Sequence, residues 1–447
     1  MTDPMTRTPA PFRPTTVALV LALVLGAWAL AGGTPRHLVA AEVDALEGGV
    51  RLAESLTATP PQPIGRALRE GFQTFPGHPR VVTEGLSGPR REALVPPAPR
   101  LLVATGVMLA PVPESTPNGL RASLLAACAV VAAAVVLLAR LPLSHAAGLT
   151  GLAACAPVVQ DALTGFGYGA LAFGAVTLVL WGLSPPTGAV TRSSGAARSG
   201  ALAVGLALAL GTHPFAAVLL LVPWLLPAER PLSNVSSAFP VALPWGRLLA
   251  PLVALGLLVA LWPTLWSRTG AGLGLWLLEP GLAPGAPVEI LGGHFDPAEG
   301  RGPQGFTALL QLLTALPLPL VGLAVHGLVV APGSLRAPAL VLAGLVLAGV
   351  LDGGFFGARL NLLPLLVPPL LVCAAASLAR LAPVVARRVS GLAVALALAL
   401  RLAGLGLEPS VPGSEALVAL TGDVVDPPSP AADLARAVAR DHLERPD

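Results

Sequence analysis

Long stretches with almost no charge inside them recur from Val17 to Leu407, separated by short arginine-bearing breaks. That segregation constrains the fold more than any motif does. A helix needs roughly 20 apolar residues to cross the hydrocarbon core of a bilayer, and several stretches approach or exceed that length. Only 11% of the residues are charged and 54% are hydrophobic, with a mean hydropathy of +0.76. A soluble domain is about a quarter charged. Backbone groups in lipid must find partners within their own segment, which favours helices. The expected fold class is therefore an all-α polytopic membrane protein.

The candidate spans are 16–33, 121–140, 146–162, 164–184, 199–212, 214–228, 247–266, 308–331, 337–354, 360–379 and 389–407. The pair 199–212 and 214–228 is short, and its alternative is one long tilted helix. Arginine in short loops marks the cytoplasmic side. With the N-terminus inside, Arg140, Arg192, Arg198, Arg230, Arg247, Arg336, Arg380, Arg387 and Arg388 all fall there. Merging 199–228 would invert everything downstream and put Arg387 and Arg388 outside, so eleven spans are expected. The transmembrane domain is then 1–407, with outer loops at 34–120 and 267–307 and an outer tail at 408–447. The second loop is acidic, with Glu279, Glu289, Asp296 and Glu299 against Arg268 and Arg301. Ala29-Leu30-Ala31 could pass for a signal-peptidase site, but the many later spans favour an uncleaved first helix.

The first outer loop is not random. Residues 41–55 have apolar positions at roughly helical spacing, with Glu42, Asp44 and Glu47 near the start, where carboxylates suit a helix N-terminus. The apolar stretch 101–112 follows Pro96-Pro97 and is too short to span, as expected of an interfacial or re-entrant helix. In the tail, 431–443 reads as an amphipathic helix. No internal repeat is apparent, which counts against an inverted-repeat transporter.

Composition excludes several classes. All 27 basic residues are arginine, which together with 49 Gly and 48 Pro reads as codon bias and not as selection for the guanidinium. A net charge of +3, without basic patches interleaved with aromatics, argues against nucleic acid. Cys128, Cys155 and Cys373 lie in apolar runs and read as buried small hydrophobes. P-loop, nucleophile-elbow, zincin and dinucleotide motifs are all missing. His294 and Asp296 are two candidate metal ligands without a third, so a surface loop is expected there. A divalent cation is the one candidate cofactor, with no ligand set assigned.

Ionisable groups inside hydrocarbon cost a few kcal/mol even on insertion scales. In this threading Asp161, Asp352, Arg359 and Arg401 fall at or near outer helix ends, and His213 sits at the outer turn between the two short spans. With Glu42, Asp44 and Glu47 they gather at one membrane level, an arrangement that suits a phosphate-bearing substrate and a base. Each has an ordinary structural reading beside this. The arginines could snorkel, Asp352 in Asp-Gly-Gly could end a helix, and His213 before Pro214 could satisfy a backbone carbonyl.

The order of features resembles the polytopic C-type glycosyltransferases, which include polyprenol-phosphate-dependent mannosyl- and aminoarabinosyltransferases. Five segments carry it. Ala41-Glu42 through Ser55 lies where the family has Asp-Glu and an amphipathic helix. Val95-Pro96-Pro97-Ala98 resembles the His/Lys-Pro-Pro-Leu motif, and Gly119-Leu120-Arg121 the Ala-Leu-Arg entering the second span. Leu210-Gly211-Thr212-His213-Pro214-Phe215 resembles Leu-Thr-Lys-Gly-Pro, with His213 in place of lysine. Ala358-Arg359-Leu360 through Pro364, then Pro368-Pro369, resembles Arg-Tyr-Leu-Leu-Pro…Pro-Pro. The chain is divergent. The family's catalytic aspartate aligns most simply with Ala41, leaving Glu42 on the second acidic position. The tyrosines expected near these motifs are absent, Tyr168 being the single tyrosine.

The resemblance implies a bacterial inner-membrane enzyme that transfers a sugar from a polyprenyl phosphate to a lipid, glycan or protein acceptor on the extracytoplasmic face. It implies a carboxylate base, Glu42 or Asp44, and phosphate-binding cations, Arg359 with His213 and Arg401. Asp161 would position a sugar hydroxyl or pair with an arginine. The alternatives are a transporter or flippase for a lipid-linked substrate and a non-catalytic subunit that keeps the fold.

Overall fold

A computed structural model describes residues 40–58, 60–72, 97–109, 148–149, 152–153, 168–184, 192–226, 245–266, 269–270, 273–274, 288–290, 293–295, 312, 316–351 and 363–402. The candidate spans 16–33 and 121–140 and the tail 408–447 lie outside them. Of 146–162, helical residues are described at 148–149 and 152–153, where Leu149 and Leu152 are fully buried.

The described elements are helical apart from one small hairpin. They are α1 (Ala40–Thr57), α2 (Ile64–Phe72), α3 (Pro97–Leu109), α4 (Tyr168–Leu183), α5 (Arg192–Leu210), a 3-10 helix (Pro214–Leu221) and α6 (Val222–Leu225). There follow α7 (Trp245–Leu261), a 3-10 turn (Pro263–Leu265), strands β1 (Val288–Ile290) and β2 (Gly293–Phe295), α8 (Leu318–Val330), α9 (Arg336–Leu351), α10 (Leu363–Arg380) and α11 (Pro383–Leu402). The antiparallel hairpin pairs Glu289 with His294 between 267 and 307, a small addition to an otherwise helical set of described elements.

Helix α10 is the axis of the bundle. It is apolar on every side, as a fully enclosed helix must be, and residues Leu363 through Leu371 are all buried. Pro368 and Pro369 lie inside it. Each removes one N–H donor, a loss that neighbouring helices can absorb in a packed bundle. On one side α8 comes so close that a Cβ at Gly327 would collide with the Cys373 carbonyl. Small residues allow such approach and so give dispersion contacts where no hydrophobic force separates helix from lipid. His326 Nδ1 and Ser377 Oγ then meet at 2.8 Å across the same seam. Helices α4 and α9 pack on the other faces of α10, and α5 is sandwiched between α4 and α7.

Large apolar residues on the outer faces are exposed, among them Leu252, Leu318, Val329, Leu347 and Leu392. Large apolar side chains exposed on several helices suit an apolar partner or solvent. Among the described residues, Leu363–Arg380 alone is long and apolar enough to cross a membrane by itself, and shorter apolar helices of 10–17 residues surround it. The segment expected at 214–228 is short, a 3-10 helix followed by one α turn that ends at Leu225. It stands apart from α5, as expected of two segments and not one. Helix α5 begins at Arg192 and so takes Arg192 and Arg198, expected in a loop, onto a helix.

The two ends of α5 and α7 differ in chemistry. At one end Arg198 donates to the Ser184 carbonyl and stacks over Trp181, while Arg247 donates to the Leu226 carbonyl at 2.8 Å. At the other, Leu210, Leu258, Trp262 and Leu265 join Leu52, Ala53, Phe72 and Ala104 in a second core. Helices α1 to α3 thus form a cap seated on the bundle end opposite Arg198 and Arg247. Arg69 of α2 adds a contact at 5.4 Å over the Trp266 ring.

Candidate functional site

The cap meets the bundle at the turn after α5. Gly211, Thr212 and His213 are all buried there. The Gly211 N–H closes the helix onto the Ala207 carbonyl at 2.8 Å, and the Thr212 hydroxyl donates to the Ala209 carbonyl at 2.8 Å. His213 has extended backbone and starts the 3-10 helix as its N-cap, with Pro214 following, where a missing N–H costs nothing. Its Nδ1 accepts from the Phe215 N–H at 3.2 Å, and its ring stacks on Phe215 at 5.5 Å. The Phe215 N–H is a partner for this ring that the sequence did not suggest. An accepting Nδ1 places the ring proton on Nε2, so any anion must be met from that nitrogen.

Helix α3 joins this turn to α1. Ala98, in the first turn of α3, donates its N–H to the Gly211 carbonyl at 3.1 Å. Pro97 at the start of α3 explains why the Pro-Pro pair precedes a helix: proline suits a first turn whose N–H groups have no partner inside the helix. Along α3, Arg100 and Val103 face Gly48 and Gly49 of α1, where an added Cβ would meet their side chains. The short apolar stretch after Pro-Pro, expected as 101–112, is thus α3, and 41–55 is α1.

Of the residues singled out from sequence, Glu42 and Asp44 stand in the first turns of α1, and Arg401 stands in the last turn of α11. His213 is brought to the cap through α3. Arg359, Asp161, Asp352 and Asp296 lie outside the described residues. Among the described residues there is no group of three or more side chains able to hold a metal ion.

Sequence reasoning missed Arg100. It is only 4% exposed, sits 5.6 Å over the Phe72 ring, and donates through Nη1 to the Phe72 carbonyl at 3.4 Å. A signal for it existed in Gly48-Gly49. Two glycines inside a good helical pattern cost about 1 kcal/mol each relative to alanine, so they ask for a close neighbour.

No family model matches the chain, and no curated protein is similar enough to match. Among solved structures, ArnT from Cupriavidus metallidurans in the apo state is similar, with a TM-score of 0.50 and 17% identity over 88% of this chain and 63% of that one. The same protein bound to undecaprenyl phosphate has a TM-score of 0.51 and 16% identity over 88% of this chain and 64% of that one. The chain therefore spans a little under two thirds of the ArnT length. With a helical bundle and a helical cap, the chain shares the fold of these ArnT structures.

Proposed function

We propose that the chain is a membrane glycosyltransferase, moving a sugar from a polyprenyl-phosphate donor to an acceptor on the extracytoplasmic face. The observation that carries this reading is the docking of the acid-bearing helix α1, through α3, against the buried His213 turn. The shared fold supports it, since one of the similar ArnT structures is bound to undecaprenyl phosphate. Such a donor keeps its tail in lipid and offers its sugar at the membrane surface, so no nucleotide-binding domain is required.

In the reaction the acceptor oxygen attacks the anomeric carbon, the carbon–oxygen bond to the phosphate breaks, and the polyprenyl phosphate leaves with that electron pair. A carboxylate takes the acceptor proton, for which it must lie within hydrogen-bond reach of that oxygen. Asp44 is the favoured base. Positions 41 and 44 lie one turn apart on α1, and residues three or four apart share a helix face. An acid at 44 could take the place that Ala41 leaves vacant with a local shift of the helix. Glu42 is the second candidate. Arg359, Arg401 and the Nε2–H of His213 would stabilise charge building on the departing phosphate. Asp161 would orient a sugar hydroxyl. A bacterial inner-membrane location follows from the donor and from the exposed apolar belt.

Glycosyl transfer in proteoliposomes with a set of polyprenyl-phosphate sugars tests this. Asp44→Asn is expected to lower turnover by about 100-fold or more, and Arg359→Ala by about 100-fold, at normal expression. If Glu42→Gln is the silencing change instead, the base is Glu42. If no donor turns over while lipid-linked sugar crosses the bilayer or binds, the fold serves transport or a non-catalytic subunit.

A further inference from the structure

We propose that Arg100 is a positioning residue that sets α1, and the carboxylate positions at its start, against the His213 turn; this rests on the glycosyltransferase reading above. Arg100 belongs to α3, yet it touches three helices. Its guanidinium, which stays charged at any physiological pH, reaches the carbonyl of Phe72, the last residue of α2, at 3.4 Å. The C-terminal end of a helix is the end that favours a cation. On the way it crosses α1 at Gly48. A Cβ there would lie 2.5 Å from Nε, 2.7 Å from Cδ and 2.9 Å from Cζ, so a larger residue would push the guanidinium out of its place. At the next residue, Gly49, a Cβ would lie 2.9 Å from the Arg100 carbonyl and would also run into Val103.

Helix α3 is in turn tied to the bundle, since the Ala98 N–H is bonded to the Gly211 carbonyl at 3.1 Å, two residues before His213. The path from α1 to the His213 turn therefore runs through Arg100 and the first turn of α3. Position 44 lies one turn before Gly48 along α1. Loosening this crossing frees the helix that carries Asp44. A catalytic group displaced by about 1 Å can lose on the order of 100-fold in rate while substrate binding survives.

The test uses the full chain with Cys128, Cys155 and Cys373 replaced by alanine and spin labels at Glu54→Cys on α1 and Leu261→Cys on α7, both exposed positions. Distances between labels are measured by electron paramagnetic resonance, and turnover is measured in the same proteoliposomes. Arg100→Met and Gly48→Ala are expected to broaden or shift the distance distribution. They should lower kcat by about 10- to 100-fold with KM changed less than about 3-fold. Arg100→Lys, which keeps a cation at the Phe72 carbonyl and is the milder change should Met or Ala fail to fold, is expected to recover part of both. A narrow, unmoved distribution with unchanged kcat overturns the proposal. So does either readout moving alone: lost kcat with fixed helices makes Arg100 a direct participant, and loosened helices with full kcat take the base off α1. If the wild type turns over no donor, the glycosyltransferase reading fails, and the distances alone decide whether Arg100 sets α1.

Discussion

His213 has an observed capping role and a proposed one at the donor phosphate, and one substitution can separate them. Its Nδ1 caps the 3-10 helix by accepting from the Phe215 N–H, and its Nε2–H is the group that could meet an anion. Losing a capping acceptor costs about 1 kcal/mol. His213→Ala is thus expected to lower the thermal midpoint measurably in detergent. Asparagine keeps a capping oxygen but no imidazole. His213→Asn should therefore hold the midpoint while losing turnover at least about tenfold if Nε2 meets the donor phosphate, a loss of about 1.4 kcal/mol. Unchanged turnover in His213→Asn would reduce the residue to a cap. The His326–Ser377 bond is a different kind of contact, a polar stitch between two packed helices. Interhelical hydrogen bonds of this sort contribute about 0.6–2 kcal/mol. Ser377→Ala is expected to destabilise within that range, as read from unfolding in mixed micelles, without touching transfer.

Among the described elements, α8 and α10 form a close seam. Gly327 lies directly against the Cys373 carbonyl, and backbone cannot yield as a flexible side chain can. Overpacking of a tight core typically costs about 1–3 kcal/mol, and Gly327→Ala should fall in the upper part of that range. Gly344 of α9 offers the contrast. A Cβ there would meet the Val218 side chain at 3.0 Å, an end that can turn aside. Gly344→Ala is therefore expected to be near neutral, below about 1 kcal/mol. Equal losses at the two glycines, measured by the same thermal assay, would contradict the seam as described. Spacing of the apolar runs was enough to find α4, α7, α9, α10 and α11 close to their expected places. It was not enough to find the 3-10 geometry at Pro214–Leu221, because that depends on the His213 cap and on Pro223 at the following turn.

At the scale of the whole molecule, a helical cap is seated on one end of a bundle whose other end is bound by arginine. Trp262 is the buried keystone between them, 1% exposed and packed with Leu52, Phe72 and Leu210. Truncating a buried aromatic to alanine costs about 3–5 kcal/mol. Trp262→Ala is expected to release the cap before the bundle, so limited proteolysis should cut between α1 and α2 while α10 stays protected. Simultaneous loss of both would show that cap and bundle fold as one unit.

The chain's own pattern of charge and hydropathy determined the helical class, the places of several described helices and the acid-bearing helix α1. These follow from local rules: lipid-like runs must satisfy their backbone internally, and proline and glycine punctuate them. It also marked His213, Glu42 and Asp44 as worth attention, but with no means of telling a cap from a ligand. What only tertiary structure decided is who meets whom. Arg100 looks like an ordinary charge beside a proline until α1, α2 and α3 close around it, and Gly48-Gly49 looks like a weak point in a helix until a side chain crosses there. The hairpin at β1–β2 was hidden for the same reason, since pairing two three-residue strands depends on partners and not on composition. Contacts between residues far apart in sequence are set by packing geometry, and no run of neighbouring residues encodes that geometry locally.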